Sequence, residues 1–238
     1  MIRFVNPNQT NLEPKKNQNR NILIIDDHPM SVDSYKTLLS TITSNEKVNY
    51  LLGYNCEEAF NILHQTKHNK ETIHFAFIDV NLPSFEKKKL FSGSDVAKLI
   101  RDYFPECKII IISMHSEPLW VSQIYNCINP EGFIAKSDID YKSFPEAFKS
   151  VENNEIYSSK SIKQSRKIMI QKNINWDEND SKMLRLIAEG VKTKDLPKYI
   201  PLGLSAIEKR KASIKKQLIR DSGSNKELLD SAKNLGLI

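Results

Sequence analysis

Two adjacent aspartates follow an apolar run near the start of the chain. Asp26 and Asp27 come directly after Ile22–Ile25 in the segment NILIIDDHPM. A solvent-facing turn explains one aspartate, whereas two at the end of a buried strand indicate a place for a cation. Taken alone, the pair is also typical of a helix N-cap, because Pro29 would fall in the first turn of the next helix.

Polar residues also end three later apolar runs. Asp79 ends FAFID, Ser113 ends KIIIIS and Lys136 ends GFIAK. Each has an ordinary explanation by itself, since a lysine is usually solvated and a serine often ends a strand. In an open parallel sheet, however, ligands bind beyond the carboxyl ends of the strands. Three carboxylates there suit Mg²⁺, which keeps several waters and leaves positions for phosphate oxygens.

The elements that must position these residues alternate between strand and helix from Asn21 to Asn153. The predicted strands are Ile22–Ile25, Val48–Leu52, Phe75–Ile78, Lys108–Ile112 and Gly132–Ala135. Amphipathic stretches such as GSDVAKLIRDYF lie between them, with apolar residues at i, i+3 and i+4. This alternation predicts a parallel sheet with helices on both faces.

The strand-end motifs together resemble the receiver domain of two-component response regulators. IIDDHP, FIDVNLP, IIISMHS and GFIAK match that family in order and spacing, over residues 21–153. The resemblance implies an α/β fold, a flavodoxin-like, doubly wound parallel sheet of five strands. It also implies that the domain accepts a phosphoryl group, with a sensor histidine kinase as the donor. Self-phosphorylation from a phosphodonor and slow self-dephosphorylation would be its only catalysis.

The same resemblance implies a role for each polar residue at the strand ends. Asp79 would be the phosphoacceptor, a carboxylate nucleophile that forms a mixed anhydride. The implied Mg²⁺ ligands are Asp26, Asp27, Asp79 and the backbone carbonyl of Asn81. The implied phosphoryl-binding and switch residues are Ser113, Lys136 and, as the switch aromatic, Phe133. Phe133 by itself is more often a core residue.

The loop after Asp79 departs from the family pattern. The family reaches a glycine sooner, whereas the candidate here, Gly93, follows an extra segment, Ser84–Ser92, that carries three consecutive lysines. Surface loops tolerate insertions at small entropic cost, so a neutral insertion is one interpretation. A loop that docks the kinase or gates the site is the other.

The C-terminal part resembles the LuxR/NarL-type helix-turn-helix domain. The segment LRLIAEG and the ungapped spacing from Gly190 to Leu218 carry the match. The resemblance implies a small all-α domain with a scaffold helix near Thr193–Ile200 and a recognition helix near Leu204–Ile219. The second helix would enter the major groove of double-stranded DNA. The family's last helix commonly makes the dimer contact, which implies a homodimer in the phosphorylated state.

The predicted recognition helix carries the candidate DNA-binding residues. They are Ser205, Glu208, Lys209, Arg210, Ala212 and Lys216. A basic stripe suits phosphates, although lysine-rich helices are often solvated faces. The family commonly has a basic residue where Glu208 stands, and Ala212 occupies another usual contact position. Thr193 as N-cap would also place Pro197 at the fourth helical position, where proline removes a backbone hydrogen bond.

Composition indicates the domain boundaries, the cellular compartment and the class of partner. Residues 1–20 form a polar, flexible tail without the apolar segment of a signal peptide; 21–153 form the receiver, 154–175 a polar linker with some helix, and 176–238 the helical domain. No apolar run approaches the roughly 20 residues that cross a bilayer. Three cysteines without CxxC spacing favour a cytoplasmic protein with reduced thiols rather than zinc or a disulfide. A net charge of +6 favours a polyanionic partner.

We therefore expect a transcription factor that phosphorylation of Asp79 controls. One alternative is a phosphorylation-controlled protein-interaction module whose C-terminal domain no longer binds DNA; Glu208, Ala212 and Pro197 favour it. A second alternative is an enzyme on a flavodoxin-like sheet. That enzyme would need a phosphate-binding glycine-rich loop after the first strand, and the segment DDHPMS contains no glycine.

Overall fold

The computed structural model describes residues 20–44, 47–171, 174, 176–219 and 223–238. All but the last residue of the predicted N-terminal tail, 1–20, lies outside the described residues. No helix within these ranges is both long and apolar enough to cross a membrane.

A parallel sheet forms the centre of the N-terminal part. Its strands are β1 (Arg20–Ile25), β2 (Val48–Gly53), β3 (Phe75–Asp79), β4 (Lys108–Ser113), β5 (Gly132–Ala135) and β6 (Tyr157–Ser158). Their spatial order is β2-β1-β3-β4-β5-β6. The first five strands follow the flavodoxin-like order. In this order the direction in which successive strands are added reverses between β1 and β3, which leaves a crevice beyond the carboxyl ends of these two strands.

Helices cover both faces of the sheet. The helices of this part are α1 (Pro29–Ile42), α2 (Cys56–His68), α3 (Gly93–Tyr103), α4 (Pro118–Ile128) and α5 (Ser143–Glu152). One core lies under α2, α3 and α4, and the other lies under α1 and α5. Because both faces are buried, the strands are continuous apolar runs. Each fully buried Ile or Phe contributes about 1.5–3 kcal/mol to folding, and this core holds the strand ends in place.

The segment 154–175 is more ordered than its polar composition suggests. It contains β6, which pairs in parallel with β5, and α6 (Lys160–Gln171), which packs on α4. The sheet therefore has six strands rather than the predicted five. Serines make this possible: Ser159 Oγ donates to Asp138 Oδ2 at 2.7 Å, and Ser161 donates both its N–H and its Oγ–H to the same carboxylate. Apolar contacts add to these hydrogen bonds, because Ile162 and Met169 of α6 are buried in hydrophobic clusters.

The inserted loop after β3 closes on itself. The Gly93 N–H bonds to the Val80 carbonyl at 2.9 Å, and a Cβ at Gly93 would lie 1.8 Å from the Asp79 carbonyl oxygen. Only glycine therefore fits at this point, as the resemblance implied. Phe85 and Leu90 pair as a short antiparallel bridge, with Leu90 buried. The bridge anchors the insertion and leaves its three lysines exposed.

The C-terminal part is helical and has its own core. It consists of α7 (Glu178–Ala188), a 3₁₀ helix (Thr193–Lys198), α8 (Leu204–Leu218) and α9 (Asn225–Asn234). The side chains of Ile207, Ile214 and Leu218 of α8 are buried in this core. Leu119 of α4 is buried in the same cluster, so the two parts of the chain share apolar contacts.

Candidate functional site

The three aspartates predicted at the strand ends meet in one cluster. Asp26 and Asp27 follow β1, and Asp79 ends the neighbouring strand β3. Each offers a carboxylate oxygen, and His28 a ring nitrogen, all within 4.8 Å of one another. The side chains of Asp26 and Asp79 are buried. Like charges this close repel one another, so the cluster requires cations.

Lys136 supplies one of those cations from the end of β5. Its Nζ lies 2.7 Å from Asp79 Oδ2 and 2.8 Å from Asp26 Oδ2. Burial alone would lower the pKa of Lys136, but the hydrogen bonds and charges of Asp26 and Asp79 outweigh it and raise the pKa. Burial also raises the pKa of Asp79, and Lys136 only partly offsets this rise. The buried carboxylates therefore need more positive charge than one lysine provides.

The remaining ligand atoms fit a magnesium ion. Asp26 Oδ2 and Asp27 Oδ1 are buried; Asp26 Oδ2 has Lys136 as its ion-pair partner, whereas Asp27 Oδ1 accepts no aligned hydrogen bond from the part of the chain that the structure describes. His28 Nδ1 lies 2.6 Å from Asp27 Oδ1 but does not align with it as a hydrogen bond. The Asn81 N–H bonds to Asp79 Oδ1 at 3.3 Å, which brings Asn81 next to the cluster. Carboxylate oxygens with open coordination positions are what Mg²⁺ prefers.

Ser113 ends β4 and Phe133 lies in β5, the strands that follow β3 in the sheet. Ser113 pairs in register with Ala135, the residue before Lys136. Its buried Oγ accepts a hydrogen bond from the His115 N–H at 2.9 Å, so its own proton is free to be donated elsewhere. Phe133 is fully buried, with its ring 5.8 Å from that of Tyr125 on α4. The polar residues predicted for the receiver thus lie at the carboxyl ends of the strands, whereas Phe133 lies within β5.

Helix α8 separates its buried and exposed residues cleanly. Its exposed side contains Ser205, Glu208, Lys209, Ala212 and Lys216. These are five of the six predicted DNA-binding residues, and they lie opposite the buried Ile207, Ile214 and Leu218. The exposed face has room to contact a polyanion.

Arg210 lies in a different environment from the other five. Its Nη1 lies 2.7 Å from Asp177 Oδ2 and 2.9 Å from Asp180 Oδ1, the two residues of the capping box at the start of α7. Its guanidinium therefore fastens α8 to α7. In the sequence, the neighbouring acids Asp177 and Asp180 indicate that a basic side chain lies nearby. No local feature identifies Arg210 of α8 as that side chain.

The scaffold segment is a 3₁₀ helix over Thr193–Lys198 rather than an α-helix to Ile200. Pro197 lies inside it and lacks the N–H that an α-helix would use. The N-cap is Lys192, not Thr193 as expected, and the Thr193 hydroxyl instead accepts a hydrogen bond from Lys211 Nζ at 2.7 Å. Leu196 is nevertheless fully buried and holds the segment against α8.

Comparison with known proteins gives concordant results. The family model described as response regulator receiver domain matches residues 22–140, half of the chain. The transcriptional regulatory protein RcsB of Escherichia coli K12 is 23% identical over 202 residues, covering 82% of this chain and 86% of RcsB. The transcriptional regulatory protein MctR of Rhizobium johnstonii is 23% identical over 203 residues, covering 83% and 86%.

Solved structures of RcsB share the fold. The RcsB–DNA complex has a TM-score of 0.59 at 22% identity and covers 91% of this chain and 98% of that one. RcsB of Salmonella enterica serovar Typhimurium, bound to promoter P1flhDC with the phosphomimetic BeF3-, has a TM-score of 0.60 at 21% identity and covers 92% and 99%. With the receiver model matched across the residues that build the acidic cluster, this chain belongs to the response regulator receiver family.

Proposed function

We propose that Asp79 accepts a phosphoryl group from a sensor histidine kinase and that this modification controls DNA binding by the C-terminal helices. The observation that carries the proposal is the cluster of Asp26, Asp27 and Asp79 around the Nζ of Lys136. Family membership supports the phosphoacceptor role, and the relatives' names support control of transcription.

In the proposed reaction, a carboxylate oxygen of Asp79 attacks the phosphorus of a phosphohistidine. The new O–P bond forms as the N–P bond breaks, and the histidine leaves with the electron pair. Such a transfer depends on positioning and charge neutralisation more than on covalent catalysis. Mg²⁺, held by Asp26, Asp27, Asp79 and the Asn81 carbonyl, would supply two positive charges there. Lys136 would pair with one phosphoryl oxygen.

The proposed switch uses Ser113 and Phe133. Once phosphorylation places oxygens beside β4, the Ser113 hydroxyl donates to one of them and moves toward it. Because the Ser113 oxygen is bonded to the His115 N–H, this movement shifts the start of the β4–α4 loop. Phe133 then occupies the space that Ser113 leaves. The charge of the phosphoryl group thereby shifts the equilibrium between two conformations of Ser113, Phe133 and the β4–α4 loop.

The proposed output is contact between α8 and double-stranded DNA. The exposed face of α8, with Lys209 and Lys216, supports it. The titles of the RcsB structures describe that protein bound to DNA and as dimers, and we extend both properties to this chain as proposals. A homodimer would bind two half-sites at once, which favours the phosphorylated dimer on DNA.

The decisive experiment measures labelling and DNA binding in the same full-length protein. A small phosphodonor with Mg²⁺ should label wild type and not Asp79→Asn, and it should tighten DNA binding by wild type only. Asp102→Asn, which changes an exposed acid of α3, is the matched control and should behave as wild type. Undiminished labelling of Asp79→Asn would remove the phosphoacceptor assignment.

A protein-interaction module remains the second candidate. It is favoured by Glu208 on the exposed face of α8 and by the diversion of Arg210 into an internal ion pair. If labelled wild type binds no DNA at low salt, the second candidate replaces the first.

A further inference from the structure

A cavity of about 290 Å³ lies where the receiver and the C-terminal helices meet. The receiver side of its wall includes Asn81 and His115, and the C-terminal side includes Arg185 of α7. Asn81 follows β3 two residues after Asp79, and His115 follows β4 two residues after Ser113. The Asn81 N–H bonds to Asp79 Oδ1, and the His115 N–H bonds to Ser113 Oγ. The cavity therefore adjoins the place where a phosphoryl group on Asp79 would lie.

Arg185 is the cation that this cavity brings from the other part of the chain. Its side chain is exposed, and it makes no ion pair or hydrogen bond with any residue in the described ranges. Glu117 also lines the cavity, but its carboxylate lies near the ring of His115, at 3.5 Å, rather than near Arg185. The guanidinium is thus available to an anion, and it binds phosphate oxygens in a planar, bidentate manner.

The charges at the site call for such a cation. Before phosphorylation, Mg²⁺ and Lys136 balance the three carboxylates. A phosphoryl group carries a charge of about −1.5 to −2 at neutral pH, whereas the Asp79 carboxylate that it replaces carries a single charge. Phosphorylation would therefore add negative charge that Mg²⁺ and Lys136 leave uncompensated.

We propose that Arg185 binds the phosphoryl group on Asp79 across the interface between the two parts of the chain, so that phosphorylation strengthens their contact at this point. The proposal rests on the proposed function, because it requires Asp79 to be the phosphoacceptor. Contacts already hold the start of α4 and the C-terminal helices together. Leu119 is buried among C-terminal residues, and Pro118 Cδ would lie 3.7 Å from a Cβ at Gly236.

The test is a titration of the full-length protein with BeF3- at fixed Mg²⁺, followed by tryptophan fluorescence. Trp120 lines the same cavity and reports binding there. Arg185→Gln should weaken the apparent affinity about tenfold, which corresponds to about 1.4 kcal/mol, and Arg185→Lys should restore part of it. Lys182→Gln removes an exposed cation from the same helix and should leave the affinity unchanged.

The outcomes separate the inference from the function on which it rests. If wild type binds BeF3- and Arg185→Gln binds it equally or more tightly, the role of Arg185 is disproved while Asp79 stays the phosphoacceptor. If wild type fails to respond to BeF3- with Mg²⁺, the phosphoacceptor assignment fails, and the inference fails with it. Since Arg185 is exposed and unpaired among the described residues, the unliganded variants should keep the wild-type thermal midpoint, which checks their folding.

Discussion

Asp27 differs from the other two carboxylates at the strand ends in its access to solvent. Its side chain is 32% exposed, whereas those of Asp26 and Asp79 are 1% and 2% exposed. Lys136 lies against the two buried carboxylates and leaves Asp27 with His28. Asp27 is therefore the carboxylate most accessible to a metal ion from solvent, and its removal should disturb the core least.

Removal of Asp27 should have opposite effects with and without metal. Asp27→Ala should raise the thermal midpoint of the metal-free protein, because it relieves repulsion within the acidic cluster. It should also reduce the midpoint shift that Mg²⁺ induces, because one ligand is gone. Asp33→Ala, an exposed acid of α1, is the control and should retain the full shift. A wild-type Mg²⁺ shift in Asp27→Ala would argue against the metal site.

Asp79 should make the metal-free protein less stable as the pH rises. Burial raises its pKa in the folded protein above the ordinary 3.8, so folding favours its protonated form. The stability from this group is therefore complete below about pH 3.8 and is lost as the pH rises through the folded pKa. Asp79→Asn should raise the unfolding free energy at pH 7, measured in urea without Mg²⁺, and the gain should vanish near pH 3.8. A gain independent of pH would show that charge is not its cause.

Among the elements, α8 divides its basic residues between two tasks. Lys209 and Lys216 are exposed, whereas Arg210 is ion-paired with the start of α7 and Lys211 is bonded to Thr193. The same helix thus uses some cations to hold the domain together and leaves others for a partner. Sequence alone does not separate the two sets, because all lie within one basic stripe.

This division gives a matched test of DNA binding. Lys209→Ala and Lys216→Ala should each weaken binding on every sequence and reduce the salt dependence by about one charge. Arg210→Gln should lower the thermal midpoint instead, with little change in the salt dependence. Glu208→Ala should change the preferred base at one operator position, since a glutamate can accept a hydrogen bond from cytosine N4. Uniformly tighter binding by Glu208→Ala would mean that Glu208 only repels phosphate.

Helix α6 lies between the two parts of the chain and is hydrogen-bonded to the β4–α4 loop and to the segment after β5. The Ser165 hydroxyl bonds to the Ser116 carbonyl in the β4–α4 loop, while Ser161 bonds to Asp138 just after Lys136. Burial by itself would raise the pKa of Asp138. Hydrogen bonds from Ser159 and Ser161 outweigh burial and lower this pKa below its ordinary value. Asp138 therefore stays charged across the neutral range and keeps α6 in place.

At the scale of the whole molecule, α4 belongs to two cores at once. Val121 and Ile124 pack beneath the sheet, and Leu119 packs with the C-terminal helices. A shift at the start of α4 therefore reaches both parts of the chain. Apolar cores resist continuous deformation, which favours two discrete arrangements over a gradual one.

Leu119→Ala should loosen the contact between the two parts. Leu119 is 3% exposed, and loss of a buried leucine side chain typically costs about 2–5 kcal/mol. The radius of gyration, measured by small-angle scattering, should increase, while phosphodonor labelling of Asp79 persists. Leu38→Ala changes a partly buried leucine of α1 on the opposite side of the sheet and should leave the radius of gyration unchanged. An unchanged radius of gyration in Leu119→Ala would contradict the shared core.

The sequence by itself determined the sheet, its strand-end residues and the two faces of α8. Continuous apolar runs and helical spacing are local signals, and the carboxyl ends of parallel strands always share one edge. The strand pattern alone therefore places Asp26, Asp79 and Lys136 together. The family resemblance also indicated Gly93, and the structure supplies the reason, because a Cβ there would lie 1.8 Å from the Asp79 carbonyl oxygen.

Only the tertiary structure decided the sixth strand, the pairing of Arg210, the 3₁₀ form of the scaffold segment and the position of Arg185. Each depends on contacts between residues far apart in the chain, such as Ser159 with Asp138 or Arg210 with Asp177. In the segment 154–175, the buried Ile162 and Met169 and the hydrogen-bonding serines all have their partners elsewhere in the chain. Arg185 and Asn81 line one cavity between the two parts of the chain, next to Leu119, and no local pattern encodes that placement.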